Sequence, residues 1–435
     1  MKPSTYNFFL PYEADNSKLI AYNSFSNALA LMDKDKYEIF RKFCENDVHI
    51  DDDEFIDQLK SGRFLVDDNC DELGLLRLRM LKGRYNTDYL NLTIAPTADC
   101  NFRCVYCYEK DVIKPDYMSE GTEDAIIKLV ENQIKTISVL KILWYGGEPL
   151  MSLETVERLS KRFIHLCDEH DVVYGASIIT NGYMFTRQVC ELLNTLKITS
   201  VQITIDGKKE VHDCMRPLAD GSGTFDTILS NLEECSDILP RTSIRINVDK
   251  NNANDSYDVV NALRERKLLN KVTPYLGMIT SEASESEKHC FDACSFSEVD
   301  FDFVNRVASD GGTISNIYPS EKANFCTADS TNGYVIAADG SLYSCFKDIG
   351  NIDRSIGNIA RGELNTEDVY LDYMLQDPTT DDNCKKCGVL PICMGGCPYQ
   401  KLVDRKNTCS KYNILLEKYL GTFAEKAKAT KVGVS

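Results

Sequence analysis

Tyr89-Leu-Asn-Leu-Thr-Ile-Ala95-Pro-Thr-Ala-Asp-Cys100-Asn-Phe-Arg-Cys104-Val-Tyr-Cys107-Tyr108 joins an apolar, strand-like run to a cysteine triplet. Three thiolates at C-x3-C-x2-C spacing can hold three corners of a four-iron cubane, a cluster normally held by four cysteines. The fourth iron then lacks a protein ligand. An open metal position is what chemistry needs, in contrast to a closed structural site. Zinc and free thiols are the competing readings of the triplet alone, and the rest of the chain decides among them.

Composition narrows the choice. The chain has 435 residues, room for two or three domains, with 43% apolar and 27% charged residues as in an ordinary globular protein. No apolar run approaches a membrane span, and Met1-Lys-Pro-Ser-Thr-Tyr-Asn-Phe-Phe-Leu10 is no signal peptide, which predicts a cytoplasmic protein without a membrane partner. Thiols stay reduced there, so 18 cysteines point to metal and not to disulfides. With only 5 histidines, thiolate-rich sites are favoured and iron–sulfur leads. A net charge of −18 argues against nucleic acid and leaves room for a local basic groove that takes a peptide.

The pattern of runs divides the chain. Residues 1–85 read as a small α+β, winged-helix-like unit: β-like Asn7–Tyr12, Lys18–Tyr22 and Ala28–Met32, then helices at Lys36–Cys44, after the acidic turn at Asp51, and at Asp71–Lys82. Over 86–285, apolar β-branched runs recur at Leu90–Ala95, Ile142–Tyr145, Ala176–Thr180, Val201–Asp206, Ile244–Val248 and Val272–Gly277. Amphipathic stretches separate them at Glu120–Lys135, Leu153–His170, Arg187–Leu196, Phe225–Cys235 and Tyr257–Lys267. Alternation of this kind predicts an α/β domain, barrel-like or doubly wound, with parallel strands. Barrels of this type place chemistry at the C-terminal ends of strands, where the triplet lies. Residues 286–314 read as a linker, following the polar stretch Ser281–Lys288, and 315–425 as a cysteine-rich domain that needs metal to supplement its core.

Other strand ends carry polar groups to the same rim. The second run ends in Leu143-Trp-Tyr-Gly-Gly-Glu-Pro149, where paired glycines let the backbone approach a ligand and Glu148 can accept from an ammonium group. The third ends in Thr180-Asn-Gly182 and the fourth in Thr204-Ile-Asp-Gly207, with His212 and Arg216 beyond. Thr204 and Arg216 suit a carboxylate or ribose, whereas Asp206 is equally a turn former.

The triplet, with Tyr106 and Tyr108 and followed by Gly-Gly-Glu-Pro after the next strand, resembles the radical S-adenosylmethionine (SAM) superfamily over roughly residues 85 to 285. That resemblance implies a partial (β/α)6, TIM-like barrel. It implies a radical SAM cluster on Cys100, Cys104 and Cys107, and SAM held by its amino and carboxylate groups on the open iron. Gly146, Gly147 and Glu148 would contact the amino end, with Tyr106, Asn181, Thr204 and Arg216 completing the SAM site. One-electron cleavage of SAM would give methionine and a 5′-deoxyadenosyl radical that abstracts a substrate hydrogen.

The later cysteines extend the resemblance. Cys326, Gly340-x4-Cys345, Cys384-x2-Cys387-x5-Cys393-x3-Cys397 and Cys409 follow the SPASM extension of peptide- and protein-modifying radical SAM enzymes, though zinc competes for the Cys384–Cys397 cluster. The extension implies two auxiliary four-iron clusters, hence three [4Fe-4S] clusters in all. One would use Cys384, Cys387, Cys393 and Cys409. The other would use Cys326, Cys345 and Cys397, its fourth ligand being Cys294 or Cys290, or else an open iron free for a substrate thiolate. Cys44, Cys70, Cys167, Cys190, Cys214 and Cys235 stand singly and read as buried, inert thiols.

These resemblances imply an oxidoreductase that modifies a ribosomally made precursor peptide. Residues 1–85 would recognise its leader by strand addition, and a flavodoxin or ferredoxin would donate electrons. A thioether is the first expected product, with a carbon–carbon cross-link or an epimerised residue as alternatives. A sulfatase maturase is the second reading. Those enzymes carry an Asp directly after the Gly-x4-Cys cysteine, where this chain has Phe346, with Asp348 nearby. An iron–sulfur electron carrier or peptide-binding scaffold without catalysis is the reading of another class, and an open iron argues against it.

Overall fold

Alternation along three short strands sets up the first of two compact units, Met1–Tyr85 with Asn316–Cys326 and Leu375–Ser435. The structure, a computed structural model, describes residues 1–46, 49–280, 289–406 and 409–432. β1 (Lys2–Pro3) pairs antiparallel with β5 (Leu65–Val66), and β2 (Asn7–Pro11), β3 (Lys18–Asn23) and β4 (Ala28–Asp33) form an antiparallel sheet in that order. Successive side chains on β3 point to opposite faces. Ala21 packs with Met32, Phe40, Phe55 and Leu59, the last three from α1 (Lys34–Asn46) and α2 (Asp53–Ser61). Asp52 caps α2 by accepting the Phe55 N–H at 2.9 Å. α3 (Glu72–Arg84) completes the N-terminal stretch.

Ile20 and Tyr22 point to the other face, which is also buried. Val389, Ile392, Leu416 and Leu420 cover it. Residues 1–85 therefore share a core with the C-terminal cysteine segment and do not stand as a module apart. The sheet is too thin to leave a face carrying Tyr12, Ile20 and Tyr22 in water.

The second unit, Asn86–Ser315 with Thr327–Met374, is built on six parallel strands in sequential order. These are β6 (Tyr89–Ile94), β7 (Val139–Trp144), β8 (Val173–Thr180), β9 (Ile198–Thr204), β10 (Arg241–Val248) and β11 (Val272–Met278). Helices α4 (Glu120–Gln133), α5 (Leu153–His170), α6 (Arg187–Thr195), α7 (Lys209–Met215), α8 (Phe225–Glu234) and α9 (Ser256–Glu265) connect them. One side of each strand, including Leu92, Ile142, Ile178, Ile203 and Ile246, joins the helices in a single hydrophobic core. The expected (β/α)6 architecture is present. The stretch expected as a linker instead contains α10 (Ala293–Ser309), whose Phe303 and Val307 enter that core, while Ser281–Lys288 lie outside the described residues.

β6 does not pair with β11. Its free edge is taken by β12 (Gly333–Ile336), parallel, with Gly333 opposite Asn91 and Ile336 opposite Ile94. β13 (Ser341–Tyr343), β14 (Gly357–Asn358) and β15 (Glu363–Leu364) extend the sheet antiparallel, and α11 (Val369–Met374) follows. Residues 315–425 thus do not form one domain: 327–374 continue the barrel sheet, because an unpaired edge of β6 offers backbone groups that need partners. The rest, with α12 (Leu390–Cys393), α13 (Pro398–Leu402) and α14 (Lys411–Val432), belongs to the first unit.

Candidate active site on the barrel rim

The loop after β6 carries the cysteine triplet and is held by backbone pairing. Arg103 N–H donates to Pro217 O at 2.8 Å, Val105 N–H to Met215 O at 3.0 Å, and Ala219 N–H to Asn101 O at 2.9 Å. Cys100, Cys104 and Cys107 are all partly exposed, and Cys100 and Cys107 each feel the charge of Cys104. Burial pushes the Cys100 thiol up to about 12 and the Cys107 thiol up to about 11. Metal binding displaces such protons. Among the described residues no three Cys, His, Asp or Glu side chains converge on a point suited to one metal ion. A four-iron cube spreads its thiolates over separate corners, so the donor set fits a cluster better than a lone zinc.

Facing this loop, the turn after β7 is pressed against it. Gly146 has φ +102°, and a Cβ there would lie 2.6 Å from the Ala95 Cβ. A Cβ on Gly147 would collide with the Asp99 carbonyl. Only glycine permits this approach. The Glu148 N–H donates to Asp99 O at 2.8 Å, closing the two loops together.

Glu148 plays a larger part than expected. It is buried, and its Oε1 accepts from Leu150 N–H at 3.0 Å and Thr180 Oγ1 at 2.7 Å, while Oε2 accepts from Asn181 N–H at 2.7 Å. It braces the glycine turn on the end of β8. A carboxylate has about four acceptor sites, so Oε2 keeps one for an ammonium group. Burial raises its pKa, and the three donors oppose that shift. Asn181 in turn reaches the cysteine loop, donating from Nδ2 to Asn101 Oδ1 at 2.7 Å.

A second network links Tyr106 to the ends of β9 and β10. The Tyr106 hydroxyl donates to Asp206 Oδ2 and accepts from Arg216 Nη1 at 2.6 Å and Asn247 Nδ2 at 3.0 Å. Asp206 Oδ1 accepts from Asn247 N–H at 2.7 Å. Asp206 N–H donates to His212 Nδ1 at 3.0 Å, so the ring proton sits on Nε2, 2.9 Å from Thr224 Oγ1, which donates to the Arg216 carbonyl at 2.8 Å. Burial drives the His212 pKa down to about 3, so it stays neutral. Thr204 is buried at the same rim. The Arg216 Nε is buried without a hydrogen-bond partner, a donor suited to a carboxylate or ribose hydroxyl.

Asp206 is therefore no mere turn former, and Asn247 was missed by sequence reasoning. Glu109 was missed as well. It is buried, its Oε1 has no partner, and it lines a small cavity with Gly146, Gly147, Ala337 and Ala338. Asp-Gly at a strand end, six residues before a histidine, was the available signal for Asp206. Asn247 and Glu109 had none.

The later cysteines divide between the units. Cys384, Cys387, Cys393 and Cys409 all belong to the first. Cys393 raises the pKa of both Cys384 and Cys409, behind the larger effect of burial, and Cys387 acts on Cys409. Cys387 Sγ also accepts from Asn413 Nδ2 at 3.1 Å. Cys326 and Cys397 lie in the first unit, whereas Cys345, Cys290 and Cys294 lie in the second. Of the six single cysteines, Cys167, Cys190 and Cys235 are buried, but Cys44 and Cys214 are exposed and Cys70 partly so. The expectation of burial fails for the last three: Cys70 lies outside any helix, ahead of α3, and Cys214 is the penultimate residue of the short α7, which carries His212 inward. Asp348 is buried and occupied: Arg354 Nε donates to Oδ1 at 2.5 Å and the Tyr373 hydroxyl to Oδ2 at 2.8 Å.

Residues 94–278 match the Radical SAM superfamily. A cysteine-type anaerobic sulfatase-maturating enzyme of Clostridium novyi (strain NT) is 25% identical over 77% of this chain and 94% of its own length. The radical SAM cyclopropyl synthase TigE of Paramaledivibacter caminithermalis is 23% identical over 74% of this chain and 72% of that protein. Among solved structures, native anSMEcpe with bound AdoMet and Kp18Cys peptide has a TM-score of 0.61 at 20% identity, covering 79% of this chain and 99% of that one. Streptococcus suis SuiB has a TM-score of 0.54 at 15% identity, over 94% and 98%. These two likenesses are of fold. The family match and the relatives, with the triplet and the Gly-Gly-Glu turn on one rim, identify residues 94–278 as a radical SAM domain and the chain as an enzyme.

Proposed function

We propose that this enzyme is a peptide maturase that forms a thioether cross-link in a ribosomally made precursor. The observation behind the reading is that a cysteine triplet and a Gly-Gly-Glu turn share one rim in a chain whose other unit holds Cys326, Cys384, Cys387, Cys393, Cys397 and Cys409. When bound, the cluster and SAM supply a 5′-deoxyadenosyl radical that takes a hydrogen atom from the substrate. Cys100, Cys104 and Cys107 hold three irons. The glycine turn, the remaining Glu148 acceptor and the Arg216 Nε orient SAM, with Tyr106, Asn181 and Thr204 beside them. Cys384, Cys387, Cys393 and Cys409 hold an auxiliary cluster, and Cys326, Cys345 and Cys397 serve a further one.

A peptide substrate is supported by SuiB, solved bound to precursor peptide SuiA, and by anSMEcpe, solved with the Cp18Cys peptide. β2 and β4 each have one neighbour in their sheet among the described residues, leaving edges for leader-strand addition. A thioether forms one C–S bond and breaks one C–H and one S–H: the 5′-deoxyadenosyl radical would take the C–H hydrogen, the thiol proton would leave to water and the remaining electron would pass to an oxidised iron–sulfur cluster, so the product is two hydrogens lighter. The Clostridium novyi relative favours a second reading, oxidation of a Cys or Ser in a protein. Phe346 occupies the expected base position, and Asp348 is committed to Arg354 and Tyr373.

Anaerobically reconstituted protein with SAM and dithionite is expected to yield 5′-deoxyadenosine and to contain about twelve irons. Co-expression with short cysteine-containing peptides encoded beside the gene, followed by mass spectrometry, reads the product. Loss of two hydrogens with a blocked thiol supports the thioether. An aldehyde trapped by a hydrazide supports the second reading instead.

A further inference from the structure

One cation on the inner face of the barrel has no role so far. On β10, Ile244, Ile246 and Val248 face the helices and are fully buried, so Ser243, Arg245 and Asn247 face the lumen. Arg245 is half-buried there, in register between Thr204 of β9 and Tyr275 of β11. Its Nε donates to Asn247 Oδ1 at 2.7 Å, and Asn247 is the residue that reaches the Tyr106 hydroxyl. Gly277 makes room for the guanidinium: a Cβ there would lie 2.5 Å from Nε and 2.7 Å from Cζ.

The charge itself is left over. Among the described residues Arg245 forms no ion pair; beyond Asn247 its side chain hydrogen-bonds the neutral Tyr275, which leaves its positive charge unpaired by a carboxylate. Two carboxylates of the rim are engaged elsewhere, Asp206 by Tyr106 and Asn247 and Glu148 by its three donors, and Glu109 lines the cavity beside Gly146 and Gly147 and makes no ion pair with Arg245 among the described residues. A half-buried cation that forms no ion pair among the described residues, and whose charge reaches Asp206 only at a distance, is poised for an anion brought from outside. Paired Nη groups suit a carboxylate bound through two parallel hydrogen bonds. The neighbouring Tyr275, donating to Gln202 Oε1 at 2.5 Å, gives the lumen a neutral polar lining.

We propose that Arg245 anchors the substrate peptide by binding one of its carboxylates, an Asp or Glu side chain or a free C-terminus, inside the barrel. The inference rests on the peptide-maturase reading and names the chemistry its substrate brings to the site. SAM's own carboxylate is the other source of the same chemistry, and the test separates the two.

N-acetyl-glutamate amide and its neutral twin, N-acetyl-glutamine amide, are titrated by NMR into full-length, SAM-loaded, reconstituted protein without reductant. The expected result is a preference of about tenfold or more for the acidic probe, abolished in Arg245→Gln, with SAM affinity by equilibrium dialysis unchanged within about twofold. Gly277→Ala keeps the charge and displaces the guanidinium, and is expected to weaken the acidic probe alone. The proposal is overturned if the wild type shows no preference, or if Arg245→Gln loses SAM affinity in step with the probe. Because binding is read without turnover, a protein that forms no 5′-deoxyadenosine defeats the maturase reading while leaving this result to stand or fall separately.

Discussion

The barrel rim and the C-terminal cysteine segment hold their thiols by opposite means. On the rim, the triplet loop hangs from a buried strand and is tied by main-chain bonds to residues 215–219 and to the Gly146–Glu148 turn. The segment from Cys384 to Leu402 contains helical turns of 3, 4 and 5 residues, shorter than a helix needs to be stable alone. Secondary structure organises the first region before any cofactor arrives. The second is held by the burial of Val389, Leu390, Ile392 and Met394, to which the proposed cluster would add ligation.

The largest expected effect tests the rim. Cys104→Ala should reduce SAM cleavage to background while leaving far-UV circular dichroism and thermal unfolding unchanged; a collapsed fold would show that the loop is not held independently of its cluster. Stripping iron with a chelator under anaerobic conditions sharpens the contrast. Amide protection should fall by about 3 kcal/mol or more across 384–397, and far less across 100–107. Equal loss in both would erase the distinction.

Gly147→Ala drives a methyl into the Asp99 carbonyl and is expected to cost about 1–3 kcal/mol. It should also weaken SAM binding by about tenfold or more, which equilibrium dialysis reads directly. His212 supplies a pH test of the same rim. The unfolded chain takes up this proton near pH 6.5, whereas the folded site resists it to about pH 3. Its contribution is therefore complete above pH 6.5 and is lost as pH falls, by about 2 kcal/mol at pH 5. Urea unfolding should show this slope reduced in His212→Asn. The smallest effect is Tyr373→Phe, which removes one donor from buried Asp348 and should cost about 1–2 kcal/mol with SAM cleavage unaffected.

Legibility followed the range of the interactions. The six barrel strands were readable to within a few residues because each buries a face and carries a dense apolar run. Leu153–His170 was readable end to end, since α5 is long and strongly amphipathic. Cys100, Cys104, Cys107, Gly146, Gly147 and Glu148 were readable as a set because their spacing is local. The bracing of Glu148 by Thr180 and Asn181 was not, since those partners are 32 and 33 residues away. α10 escaped notice because its apolar positions are mixed with Ser and Asp, and α7 because it is short.

By itself the sequence determined the alternation of strands and helices, the thiol spacing and the glycine turn. Each depends on neighbours a few residues apart. Only the tertiary structure decided that β12 completes the edge of β6, that the N-terminal sheet shares its core with the C-terminal segment, and that Arg245 faces the lumen and Glu109 is buried beside the glycine turn. Those outcomes follow from the need to satisfy a free strand edge and to bury two faces of a small sheet, demands that any distant apolar or hydrogen-bonding segment can meet and that no local pattern announces.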